Sequence, residues 1–203
     1  MRLSKGPLVP RGLKEVTRRC RLTLLERNWE MESTLKRPRA LREDEIEIRA
    51  KKETDKGVVL LLYKTARTDM DLLDETFGAG NWQTDYKEIK GNLYCGIGVR
   101  PSEFEWVWRW NCGVESREDG EGNEKKGEAS DALKRAGTLF GIGRELYTAP
   151  FIFVKTGDYT KNSKGKCSDT FKVEKIKITD GRITGLAIRN SAGKRVFVWQ
   201  KAE

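Results

Sequence analysis

Residues 127–143 read GEASDALKRAGTLFGIG and have the spacing of an amphipathic α-helix. One arc of that helix is apolar and comprises Ala129, Ala132, Leu133, Ala136, Leu139 and Phe140. The opposite arc is polar and comprises Ser130, Asp131, Lys134, Arg135 and Thr138. Gly141 and Gly143 favour an end of the helix. The stretch therefore predicts a long helix that packs one face against the rest of the fold.

The patterns around this helix predict strands and one further helix. Before it, strands are predicted at residues 45–49, 58–63, 82–89, 93–99 and 104–110. Residues 66–77 have helical spacing, with Asp69 and Asp71 expected to face water and Gly78 expected to end the helix. After the long helix, strands are predicted at residues 171–179, 182–189 and 194–199.

These elements predict an α+β fold in the order β-β-α-β-β-β-α. We expect an antiparallel β-sheet packed on a long amphipathic helix, with a small C-terminal β-meander. The chain should have four parts: a flexible basic arm at residues 1–40, a main domain at 41–154, a linker at 155–170 and the meander at 171–203. The arm has two alternative interpretations, an organelle transit peptide or residues that precede a true start at Met31.

The strand at residues 104–110 places four aromatic side chains on one face, namely Phe104, Trp106, Trp108 and Trp110. One interpretation is a core, because each such ring buries about 150–250 Å² and helices need an apolar sheet face to pack on. The other interpretation is a platform on which nucleobases stack. We favour the core interpretation, which predicts that the rings lie beneath the helices.

The composition excludes several classes of site. The 203 residues contain no histidine, so the catalytic triads and zinc sites that need one are ruled out. Four cysteines, at positions 20, 95, 112 and 167, form no CxxC pair, and the chain has no P-loop motif. The longest apolar stretch, residues 58–63, is far shorter than the roughly 20 residues of a membrane span. We therefore expect no metal, no cofactor and no membrane partner.

The net charge of +9 favours a polyanionic partner, but the charge is unevenly distributed. Residues 1–30 contain 8 basic and 3 acidic side chains, residues 31–154 contain 20 and 23, and residues 155–203 contain 12 and 5. A nucleic-acid site in the middle would therefore depend on a few well-placed cations. On the long helix, Asp131 is expected to pair with Arg135 four residues later, and Lys134 is the expected free cation.

Three motifs, in this order, resemble those of the Rad52-type single-strand annealing proteins, which include the eukaryotic DNA-repair protein and phage recombinases. LLDETFGAGNW, residues 72–82, is similar to the helix-end motif of that family. LYCGIGV, residues 93–99, is similar to its central strand, and GEASDALKRAGTLFGIG to its signature helix. The resemblance covers residues 44–148, about half the chain.

The resemblance implies a protein that binds single-stranded DNA along an oligomeric ring or helical filament of identical subunits. Such a protein pairs complementary strands without ATP in homologous recombination or repair, has no catalytic residue, and is not an enzyme. Residues 41–154 would be the annealing domain. The DNA-binding residues implied are Arg49, Lys126, Lys134 and Arg135, with Lys90 as a second DNA contact. A single-strand-binding protein or an exonuclease is an implied partner, and the cytoplasm of a bacterial or phage-infected cell is the implied location.

Three alternatives stay open. A metal-dependent nuclease would hold Mg²⁺ with carboxylates, and the candidate cluster is Asp69, Asp71, Asp74 and Glu75. A passive single-strand binder would coat DNA through exposed aromatic side chains without annealing it. RNA is also open as the ligand, because a groove that binds phosphates barely distinguishes the two sugars.

Overall fold

A computed structural model describes residues 35–100, 105–114 and 124–202 of the chain. The predicted basic arm therefore lies outside the described residues as far as position 34, and so does Phe104. From Arg37 onward the chain forms one compact unit.

Within the described ranges the chain forms nine strands and two helices. The strands are β1 (Glu47–Thr54), β2 (Gly57–Tyr63), β3 (Trp82–Ile89), β4 (Asn92–Val99), β5 (Val107–Cys112), β6 (Ile152–Lys155), β7 (Lys172–Thr179), β8 (Arg182–Arg189) and β9 (Arg195–Gln200). The helices are α1 (Ala66–Phe77) and α2 (Glu124–Leu139). Short 3-10 turns lie at Glu43–Glu45 and Arg144–Thr148.

The strands form three antiparallel sheets of three strands each, in the orders β1-β2-β6, β3-β4-β5 and β7-β8-β9. The fold is therefore α+β with antiparallel sheets, as predicted. The expectation of one sheet for the main domain is wrong, because β2 pairs with the distant β6 rather than with β3. The helix α2 has 16 residues, close to an ordinary helix length, so the prediction of a long helix is not confirmed.

Local signals explain the bounds of α1. The Thr65 side chain accepts a hydrogen bond from the Thr68 amide at 3.2 Å, which satisfies one of the unpaired donors at the helix start. Gly78 ends the helix at a φ of +86°, and its amide donates to the Asp74 carbonyl at 2.8 Å. One expectation for this helix is wrong: Asp69 does not face water and is fully buried.

The second sheet, β3-β4-β5, has one face covered by α2. The β4 residues that are fully buried on this face are Cys95, Ile97 and Val99. Asn111 of β5 stands opposite Cys95 in the register, and its Nδ2 donates to the Arg135 carbonyl of α2 at 3.2 Å. Directly paired residues share a face, so this hydrogen bond identifies the covered side.

The tryptophans of β5 lie on the other face of this sheet. Trp108 and Trp110 stand opposite Gly98 and Gly96, which alternate with the buried residues of β4. The expectation that these rings lie beneath the helices is therefore wrong. Alternation shows which side chains share a face, but it does not show which face the helices cover. Here the smaller side chains of β4 supply the layer that contacts α2.

The C-terminal meander packs on the rest of the unit. Strand β7 contacts the turn at Glu43–Glu45, β8 contacts the turn at Arg144–Thr148, and β9 contacts β6. The Ile183 amide donates to the Thr148 hydroxyl at 2.8 Å across one of these contacts. In the predicted linker, Lys161 and Cys167 form an antiparallel bridge and Tyr159 is buried. The boundaries proposed between these parts stay predictions.

Neither helix in the described ranges combines the length and the apolar character needed to cross a bilayer.

Candidate nucleic-acid interface

Two arginines from outside α2 bind the C-terminal end of that helix. Arg144 donates to the Thr138 carbonyl at 2.8 and 3.0 Å and to the Leu139 carbonyl at 2.9 Å. Arg109 of β5 also donates to the Leu139 carbonyl. These carbonyls have no partner within the helix, and positive charge is favourable at this end of the helix dipole. The arginines therefore fix where α2 ends.

A buried ion pair fixes the middle of α2. The Nζ of Lys64, just after β2, lies 2.5 Å from both carboxylate oxygens of Asp69 in α1. The same Nζ donates to the Lys134 carbonyl at 3.1 Å. Burial raises the pKa of Asp69 to about 6, although Lys64 acts in the opposite direction. One lysine thus connects β2, α1 and α2 directly below the residue predicted to bind DNA.

Lys64 was not among the residues predicted from the sequence, and Asp69 was wrongly expected to face water. Burial also lowers the pKa of the Lys64 ammonium, because a desolvated charge is costly. No local pattern marks such a pair, since the two residues are five apart and belong to different elements. A charged residue that follows directly on the apolar run of β2 was the only available hint.

One partly exposed side of α2 carries two predicted DNA-binding residues and a carboxylate that contacts both. The Nζ of Lys134 lies 3.7 Å from Asp131 Oδ1, and the Nε of Arg135 lies 3.9 Å from Asp131 Oδ2. Asp131 also accepts a hydrogen bond from the Val114 amide at 3.2 Å. The expectation that Lys134 has no partner is therefore wrong, because Asp131 precedes it by three residues and a helix places such residues side by side.

Arg49 lies on β1 with an exposed side chain, and its guanidinium carbon is 5.8 Å from the centre of the Tyr63 ring. Burial and a hydrogen bond with Glu47 raise the pKa of Tyr63 to about 12, so the phenol is neutral. Tyr63 directly precedes Lys64. Arg49 is therefore placed at the strand end from which Lys64 reaches α2.

The other two predicted cations lie at the opposite end of α2. Lys126 is exposed in its first turn, and Lys90 is exposed in the β3–β4 turn with a φ of +54°. The Leu93 amide donates to Glu128 Oε1 at 2.9 Å, which joins this hairpin to the start of α2. At 1.5 Å per residue, Lys126 and Lys134 are about 12 Å apart along the helix axis.

The structure therefore groups the predicted residues in two places. Lys134 and Arg135 share one carboxylate near the middle of α2, whereas Lys90 and Lys126 belong to the end where the hairpin meets the helix. Lys126 and Arg135 are nine residues apart, which places them on roughly opposite sides of the helix. A single straight strand would not contact both of them.

Three of the four carboxylates of the nuclease alternative have another partner, and the fourth, Asp71, is exposed. Asp69 pairs with Lys64, Asp74 accepts from Trp82 Nε1 at 2.6 Å, and Glu75 lies 2.9 Å from Arg39 Nε. In the part of the chain that the structure describes, no three cysteine or acidic residues are arranged to hold a metal ion. These residues offer no support for Mg²⁺ binding.

An α+β domain with exposed cations on a rigidly anchored helix has the features of a nucleic-acid-binding protein. A family model described as the Rad52/22 family double-strand break repair protein matches residues 30–165, about two-thirds of the chain. The chain belongs to this family, which confirms the resemblance found in its motifs, and the family acts in DNA double-strand break repair and recombination. No curated protein matches the chain. The meander lies beyond the matched residues.

Proposed function

We propose that this protein binds single-stranded DNA and anneals complementary strands without ATP during homologous recombination. The observation that carries the proposal is the partly exposed pair Lys134 and Arg135, on a helix whose backbone is held by Lys64 and Arg144. Cations on a rigid support bind phosphate with little loss of conformational freedom. The pair also lies within the residues that match the family.

Repetition of this site would supply the affinity that one subunit lacks. Even if all four cations, Arg49, Lys126, Lys134 and Arg135, contacted one strand, the salt slope would be only about −3, at roughly −0.7 per phosphate contact. A ring or helical filament of identical subunits turns the later contacts into intramolecular ones, so the affinities multiply. We therefore propose a homo-oligomer as the active form, with residues 41–154 as the annealing domain.

The proposed mechanism forms and breaks only base pairs. Cations hold the sugar-phosphate backbone, and the bases of the held strand stay accessible to a second strand. No covalent step takes place, so the proposal includes no catalytic residue, no cofactor and no enzymatic activity. The proposed partner is an exonuclease, which would expose single strands, or a single-strand-binding protein, which would cover them. The proposed location is the cytoplasm.

The test is the rate at which two complementary oligonucleotides pair. We expect the protein to accelerate pairing at fixed salt, without ATP and without Mg²⁺. A protein that binds each strand but leaves the pairing rate unchanged would be a passive binder, and the annealing proposal would be wrong. The same assay with RNA oligonucleotides decides between the two sugars. Shortening of labelled DNA in the presence of Mg²⁺ would support the nuclease alternative instead.

A further inference from the structure

The open face of the β3-β4-β5 sheet supports flat tryptophan rings. A methyl group added to Gly96 would lie 2.5–2.7 Å from three atoms of the Trp110 indole. A methyl group added to Gly98 would lie 2.8–2.9 Å from three atoms of the Trp108 indole. One face of each indole ring therefore packs on a glycine, and the opposite face points away from the sheet. Any side chain larger than hydrogen at these glycines would lift the ring.

The rings of Trp106, just before β5, and of Trp108 and Trp110 in β5 form a continuous row, which we call the tryptophan ladder. The centres of the first two rings are 6.3 Å apart and their planes differ by 36°. The centres of the second and third are 5.8 Å apart and their planes differ by 23°. Trp108, in the middle, is 36% exposed although it is one of the largest apolar side chains. The helices contact the opposite face of the sheet, so the described elements leave this one open.

A cation lies at each end of the tryptophan ladder. The Nζ of Lys87 is 4.4 Å from the centre of the Trp110 ring, and the guanidinium carbon of Arg100 is 5.4 Å from the centre of the Trp106 ring. Asp85 lies 3.3 Å from Lys87 on the same face. Aromatic faces with neighbouring cations are the combination that single-stranded nucleic acids bind, with rings for the bases and cations for the phosphates.

We propose that the tryptophan ladder is a second contact surface for single strands, on which unpaired nucleobases stack. This inference rests on the proposed function, since the ligand is the same single strand, but it assigns a different face from the one that carries Lys134. A second copy of the chain fits the surface less well. Protein interfaces are depleted in lysine and anchored by side chains that enter pockets, whereas these indoles lie flat and Lys87 covers one of them.

The experiment compares a dT oligonucleotide with an abasic oligonucleotide of the same length, which has the same phosphates and no bases. We expect the wild-type protein to bind dT about tenfold more tightly than the abasic strand, because stacking on aromatic rings contributes only to dT. Trp108→Leu should reduce this preference several-fold and leave abasic binding unchanged, and Trp108→Tyr should restore part of it. Trp199→Phe, in the meander, is the control and should keep the full preference.

Quenching of tryptophan fluorescence gives a second readout that needs no variant. Saturating dT should quench the wild-type emission more than the saturating abasic strand does. Equal affinities and equal quenching for the two probes would overturn the inference but leave the proposed function standing. Binding of neither probe would overturn both.

Discussion

Among the single residues, Asp131 neutralises part of the positive charge on α2. Its carboxylate contacts both Lys134 and Arg135, and it is held in place by the Val114 amide. In the proposed complex, a phosphate would therefore compete with this carboxylate for both cations. The same contact keeps the two long side chains near one position, which limits the entropy lost on binding.

Replacing this carboxylate should strengthen DNA binding. Asp131→Asn removes the negative charge but keeps an oxygen that can accept from the Val114 amide. We expect the affinity for single strands to rise about three- to tenfold at low salt, since exposed ion pairs are worth up to about 1 kcal/mol each. Fluorescence anisotropy with a labelled dT oligonucleotide measures the change. Asp71→Asn, on the exposed side of α1, alters the net charge equally and should have a much smaller effect; equal gains from both variants would mean that only net charge matters.

At the scale of elements, the contact between α1 and α2 depends on a glycine. A methyl group added to Gly137 would clash with Asp69 Oδ1, which is buried and paired with Lys64. The two helices can approach this closely only because position 137 has no side chain. The approach allows the ion pair below Lys134 to form.

Gly137→Ala should therefore destabilise the protein despite the higher helix propensity of alanine. We expect a loss of about 2–4 kcal/mol in the free energy of unfolding, because the methyl group displaces a buried ion pair. Urea unfolding followed by circular dichroism measures it. Gly80→Ala is the matched control, since no atom lies within 4 Å of the added methyl, and it should change stability by less than about 1 kcal/mol. Equal stability of the two variants would contradict the close packing.

The elements also show what the sequence could and could not predict. The bounds of α1 were predictable because Thr65 and Gly78 act on their own neighbours. Strand β6 was missed, because its four residues form a strand only by pairing with β2, almost a hundred residues earlier. The prediction that the tryptophans lie beneath the helices was wrong for a similar reason, since periodicity contains no information about where the helices pack. In the candidate site, the cations of α2 and the contact of Lys134 with Asp131 follow from helical spacing, but the bond from Lys64 to the Lys134 carbonyl comes from tertiary structure.

At the scale of the whole molecule, a network around Arg39 links the segment before β1 to α1. Arg39 donates to both carboxylate oxygens of Glu45 at 2.6 and 2.7 Å and also pairs with Glu75 of α1. The hydrogen bonds from Arg39 are the main reason that the pKa of Glu45 is lowered to about 2. The pKa of this carboxyl is therefore lower in the folded protein than in the unfolded chain.

This difference predicts how stability depends on pH. A lowered pKa stabilises the folded state above the unfolded value, near 4.5, and the contribution is lost as the pH falls from there towards 2. The contribution is at most about 3 kcal/mol, at 1.36 kcal/mol per pKa unit. Glu45→Gln should lower stability at pH 7 and make the unfolding free energy less dependent on pH in that range. Urea titrations at several pH values check this, and a wild-type slope in the variant would contradict it.

The proposed function depends on α2 binding the phosphates of a single strand through Lys134. The most direct test is the dependence of the binding constant on salt concentration, for the wild type and for Lys134→Ala. We expect the variant to bind more weakly for every base sequence tried and the salt slope to fall by roughly 0.7, the contribution of one phosphate contact. Lys56→Ala, in the β1–β2 turn, should keep the wild-type slope. An unchanged slope and affinity in Lys134→Ala would show that Lys134 does not contact the phosphates.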